Sequence, residues 1–111
     1  MAAVSEVHLV IHKGTYFEET FSLSAEDGGV LNLTNTTAVS KLKKHPTAGI
    51  AYTFSTTITV GDSTVKISMP GALTQTLPSG RCVYDLVLTS SSGLHSKVVT
   101  GTALVQESVS V

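Results

Sequence analysis

Tryptophan is absent from this chain, cysteine occurs once, proline three times, and Asp, Glu, Lys and Arg together make up only 14% of its 111 residues. Each shortage excludes something. The lone thiol, Cys82, has no partner for an internal disulfide, so a stapled secreted domain is not expected. Seven basic against eight acidic side chains leave a net charge of −1. There is therefore no long-range field to draw in nucleic acid or anionic lipid, and neither is expected as a partner. No apolar run approaches the roughly 20 residues of a membrane helix. The first residues, "MAAVSEVHLVIHKG", lack the basic start and long apolar stretch of a signal peptide. We expect a soluble protein made in a reducing compartment. The long, straight-chain residues that favour helices are few, and near-neutral charge favours association over a lone monomer.

What remains is β-branched and aliphatic residues, serine, threonine and glycine, which fit pleated strands and tight turns. Strands are expected at 7–12, 16–24, 37–44, 50–60, 64–69, 81–89 and 94–107, with a short extended segment at 30–35. In 16–24, Phe17, Glu19, Phe21 and Leu23 share the inward face, on which Glu19 is a blemish that places it near a sheet's end. Ala38, Ser40 and Leu42 point inward from 37–44, with Lys41 and Lys43 outward. Tyr52, Phe54, Ile58 and Val60 form one face of 50–60, which pairs as a hairpin with 64–69, where Val65, Ile67 and Met69 face in. Cys82, Tyr84, Leu86 and Leu88 form the buried face of 81–89. Glycines in "AEDGG" (25–29) make a turn, and Gly101 inside the last strand marks a bulge or a close approach. Ala72, Leu73, Thr74 and Leu77 fit one helical turn between strands. This spacing suits one domain, 1–111, built as a β-sandwich or small barrel.

A search for chemistry finds no catalytic, cofactor-binding or metal-ligating set. His8 and His12 are about 13 Å apart along a strand, too far to share one zinc. His45 precedes a proline and His95 opens the last strand, so both read as structural or solvated. Cys82 faces inward and reads as a small buried hydrophobe with no base beside it. Glu18, Glu19, Glu26, Asp27, Asp62 and Asp85 read as solvated strand faces and turns with no apolar pocket to make an acid–base pair. Lys41, Lys43 and Lys44 lack the interleaved aromatics of a nucleic-acid groove and read as the charged face of an edge strand.

Three segments together, "IHKGTYFEETFSLSAEDGGVLNLTNTTA" (11–38), "STVKISMPGALTQTLPSGRCVYDLVLTSSSG" (63–93) and "KVVTGTALV" (97–105), resemble immunoglobulin-like modules of tailed-phage virions. The type they are most similar to is the N-terminal domain family of the siphovirus baseplate upper protein. The resemblance covers roughly residues 8 to 105, and the crossing followed by "RCVYDLVLTSSSG" is its strongest part. It implies an all-β, immunoglobulin-like β-sandwich of seven or eight strands with one short helical turn near 71–77. Apart from the resemblance, Leu73 and Leu77 are expected to plug an open end of the sandwich. The resemblance carries over no catalytic residue, and neither a cofactor nor a small-molecule substrate is expected. Family members carry further domains after this module, whereas this chain stops at Val111, so a freestanding adaptor or decoration subunit is expected rather than a receptor binder. The expected function is that of a non-enzymatic virion structural protein, made in the host cytoplasm, whose partners are other virion proteins and copies of itself. A capsid cement protein and a carbohydrate- or host-surface-binding module are the alternatives. Three strand edges are candidates for assembly, namely the first strand, the 37–44 strand and the end of the last. Their residues are Val7, Leu9, Ile11, Lys41, Lys43, Leu104 and Gln106.

Overall fold

A computed structural model describes residues 5–23, 33–47 and 49–109. Eight strands and one helical turn follow in chain order: β1 (Ser5–Glu6), β2 (Leu9–His12), β3 (Phe17–Ser22), β4 (Thr37–Lys43), β5 (Tyr52–Thr59), β6 (Thr64–Met69), α1 (Gly71–Thr74), β7 (Gly80–Thr89) and β8 (His95–Gln106). The fold is all-β. Pairing runs without a break in the order β1-β8-β7-β4-β5-β6-β3, with β2 also on β8. The path curls into two layers because β5 serves both. Its residues 52–54 pair with β4, and its residues 55–59 pair with β6.

The first layer is β1/β2-β8-β7-β4-β5 and the second is β5-β6-β3. All pairs are antiparallel except β1 and β2, which run parallel to β8 in one register, Ser5 opposite Val99 and Leu9 opposite Ala103. Three strands of one layer and three of the other thus follow the immunoglobulin order, with β4, β7 and β8 as the C-F-G set and β3, β6 and β5 as the B-E-D set.

Alternation builds the core. Leu9 and Ile11, Leu42, Phe54, Val65, Ile67 and Met69, and Cys82, Tyr84, Leu86 and Leu88 are all buried between the layers. Aromatic rings span the gap, Phe21 of β3 facing Tyr84 of β7 at 6.5 Å and Phe17 facing Phe54 at 5.8 Å. In β8 the alternation slips. A bulge opposite Leu86 and Val87 sets Val98 and Val99 side by side in the core.

Some sequence expectations need correction. Val60 does not extend the inward face of β5. It begins a 3-10 turn, Val60–Asp62, and is exposed, because Ser63 takes a left-handed conformation to start the hairpin return. The 30–35 segment is described only from Leu33, which is buried, and continues as a turn in which Asn35 has φ 57°, a conformation asparagine tolerates. The "AEDGG" turn, with Glu26 and Asp27, lies outside the described residues.

The crossing between β6 and β7 closes one end, with Leu77 as expected but with Thr74 in place of Leu73. Leu77 is buried, but Leu73 is 48% exposed. Thr74 plugs the end in its place. Its side chain is fully buried, donates to the Thr15 carbonyl at 2.8 Å and accepts the Gly14 N–H at 3.1 Å. The turn after β2 therefore presses on the start of α1 so closely that a Cβ on Gly71 would lie 2.8 Å from the Gly14 oxygen. Thr74→Val keeps the shape and removes both bonds. It is expected to cost about 1 kcal/mol, since the Gly14 N–H and the Thr15 C=O lose their partner at a part-buried site, as a shift in the urea midpoint would show. An unchanged midpoint would refute the lock. Beside it, Ser79 donates to the Glu107 carboxylate and Lys13 pairs with it at 3.4 Å. The Ser79 hydrogen bond, then the Lys13 charge, holds that carboxyl below its usual range.

Candidate assembly surface

The β1–β2 strand stands at the end of the strand order, and its ladder with β8 is interrupted at Val7 and His8 while the register is kept. The cause lies in the core. The Tyr84 hydroxyl donates to the Val7 carbonyl at 2.7 Å, which draws that carbonyl inward over Gly101. A Cβ at position 101 would overlap it, which is the close approach the sequence announces. The His8 ring takes up the slack. Its Nδ1 accepts the Thr102 N–H at 3.3 Å and meets the Thr102 hydroxyl at 2.7 Å. On the other side of the ring, Nε2 lies 3.3 Å from Glu6.

Burial raises the Tyr84 phenol from an ordinary 10.0 to about 12, with the Glu19 carboxylate adding to the rise. The folded protein thus holds this proton more tightly than the unfolded chain does. Its contribution to stability is intact below about pH 10 and is lost as pH climbs toward 12. Denaturant midpoints measured across that interval should fall in the wild type and fall less in Tyr84→Phe. Parallel curves would contradict this.

The seven expected interface residues separate into two groups. Leu9 and Ile11 are core residues, 4% and 0% exposed, and Val7 is half-buried against the core. Their side chains do not reach a partner, and only their backbone lies at an edge. The correction has a simple source: alternation places them on the apolar face, while Val10 between them is 51% exposed. Lys41 and Lys43 do point outward but do not mark an edge. β4 is flanked by β7 along its whole length and by β5 at residues 40–42. Lysines facing water look alike on an edge strand and on an inner strand of a sheet with one solvated face. β8 is likewise paired on both sides, with β7 as far as Val105 and with β2 over 103–106, so Leu104 is an outward residue of an interior strand, and Gln106 is an outward residue paired with β2 alone.

The outward group shares one surface, the outer face of the first layer. Val10 sits opposite Leu104, and His12 opposite Gln106. Farther across lies a shallow concavity of about 430 Å³, lined by Lys41, Lys43, Val83, Asp85, Lys97 and Thr100. Lys97 pairs with Asp85 at 3.5 Å, while Lys41 and Lys43 make no ion pair among the described residues. Val10, Val83 and Lys97 are absent from the sequence-based set, although the alternation of 81–89 already turns Val83 outward.

A second edge, β3, is missing from the assembly candidates read from the sequence. Among the described residues β3 pairs only with β6. Between β3 and β1 the layers part into a slot of about 280 Å³, lined by Ser5, Val7, Glu19, Phe21, Leu23 and Val99. Glu19 is the signal that pointed to it, an acid on an inward face, which is a known way to blunt an edge strand.

No group of three or more potential metal ligands occurs among the described residues. His45 meets Thr47 and His95 meets Thr89 through side-chain hydrogen bonds. Cys82 is fully buried, and burial pushes its thiol pKa up, away from the reactive thiolate. Glu18 pairs with Lys66 at 3.1 Å on the outer face of the second layer.

No protein-family model and no curated protein matches the chain. Among solved structures it is similar to the Listeria monocytogenes internalin-like protein lmo2027, with a TM-score of 0.46 and 11% identity over 95% of this chain. The match spans 28% of that longer chain.

Proposed function

We propose that this protein is a non-enzymatic structural subunit of a bacteriophage particle, a tail or baseplate adaptor or a decoration subunit, that works by binding other virion proteins and copies of itself. The phage assignment rests on the sequence resemblance over residues 8–105. The observation that supports assembly is the pairing pattern: both ends of the strand order, β1–β2 and β3, have an unpaired side among the described residues. Open strand edges bind partners through backbone hydrogen bonds. The outer face beside β2 adds exposed Val10 and Leu104, a small apolar patch with Arg81 opposite Leu104.

No observation favours the carbohydrate-binding alternative. Such sites need an aromatic platform, and of the six tyrosines and phenylalanines only Tyr16 is exposed. Immunogold labelling of intact particles is the test. Gold on tail, baseplate or head supports the assignment and selects the part. Particles that stay unlabelled while the denatured virion lacks the protein by mass spectrometry would end it.

A further inference from the structure

We propose that the slot between β3 and β1 receives a strand from a different protein, an extended segment that pairs with the free side of β3 and directs a lysine or arginine onto Glu19. The inference rests on the assembly reading and gives it one seat and one partner chemistry.

Three observations converge on this place. The first is topological. In the immunoglobulin arrangement the B-E-D sheet has a fourth strand beside B. Here the sheet ends at β3, and among the described residues nothing pairs with the far side of Phe17–Ser22. The second is shape. The slot opens along that side of β3 and has an apolar floor of Val7, Phe21, Leu23 and Val99. The third is charge. Glu19 is half-buried at the slot and makes no hydrogen bond or ion pair among the described residues, whereas the neighbouring Glu18 is paired with Lys66 on the opposite face. An isolated carboxylate beside apolar side chains repels an acidic or purely apolar strand and favours a basic one.

The alternation of a strand meets these demands. Seven residues at about 3.3 Å each cover the length of β3. Their inward positions would present a small apolar group, a basic group and a small apolar group. A second copy of this chain offers a weaker match. The outward cations Lys41 and Lys43 lie on β4, which is paired with β7 along its whole length and with β5 at residues 40–42, so Lys41 has no free backbone side to donate.

The test uses the whole protein and the synthetic peptide Thr-Val-Thr-Lys-Thr-Val-Thr, together with versions in which glutamate or leucine replaces the lysine. Binding is followed by hydrogen exchange of the amides of residues 17–22 and by titration. The lysine peptide is expected to protect β3 and to bind at least about tenfold more tightly than the glutamate peptide, the smaller end of what a partly buried charge pair is worth. Glu19→Gln, which keeps the side chain's shape, should erase that preference without changing the unfolding midpoint.

No protection of β3, or equal affinity for the three peptides, overturns the slot proposal while leaving particle labelling untouched. Unlabelled particles overturn the virion assignment while leaving the peptide result standing. A dimer of the pure protein that Glu19→Gln dissolves would make the occupant a second copy and overturn the proposal of a different protein.

Discussion

Gly101→Val is expected to remove a large part of the stability of this protein. The new side chain would occupy the space of the Val7 carbonyl, which cannot retreat without giving up the Tyr84 hydroxyl. Overpacking of this kind costs about 1–3 kcal/mol, and stranding a buried hydroxyl adds about 1–3 kcal/mol. The sum is a large part of the 5–15 kcal/mol on the order of which small domains depend. The only local escape is for β1 and β2 to leave β8, which uncovers Leu9 and Ile11. A double-mutant cycle identifies the mechanism. Both Gly101→Val and Tyr84→Phe act through one carbonyl, so their costs should fall short of adding. A near-wild-type urea midpoint for Gly101→Val, or strict additivity, would show that the carbonyl is not the hinge of this contact.

Leu86→Ala is the second large effect. Leu86 is fully buried at the centre of β7, opposite Ser40 of β4 and Val99 of β8. Both neighbours are fixed. Ser40 donates to the Asp85 carbonyl at 2.7 Å, and Val99 is held by the bulge. Surroundings that cannot collapse retain the cavity, so the cost should approach the upper part of the 2–5 kcal/mol range typical of such truncations, about 4 kcal/mol. Leu73→Ala serves as the contrast. Leu73 is half exposed within α1, and its loss is expected to stay within about 0.5 kcal/mol. Comparable losses at both sites, read from chemical unfolding, would mean that the crossing packs more tightly than described.

These residues also show where sequence reasoning reaches and where it stops. Period-two patterning identified the buried face of β6 and β7 residue by residue, because a sandwich enforces one apolar side on each strand. Gly101 was legible because an isolated glycine in a strand has few physical uses. The failures share a cause. Alternation specifies faces but not neighbours, so it could not tell that β4 lies inside a sheet, that β8 is paired on both sides, or that β3 is a border. The bulge at Val98, the break at Val7–His8 and the role of Thr74 each depend on a group distant in sequence, and no local pattern encodes them. For the candidate surface, the outward residues Lys41, Lys43, Leu104 and Gln106 were identified from their strands, while Leu9 and Ile11 were assigned by strand and not by face.

The parallel run of β1 and β2 along β8 has a mechanical consequence. A pull applied before Ser5 and after Gln106 acts on opposite ends of two adjacent strands that point the same way. Such a load drags the ladder lengthwise, and its bonds resist together instead of opening one at a time from a corner. In an optical trap the molecule should therefore yield abruptly at a high force when held by those two ends. When tethered so that β3 is peeled from β6, an antiparallel border, it should give way gradually and at a lower force.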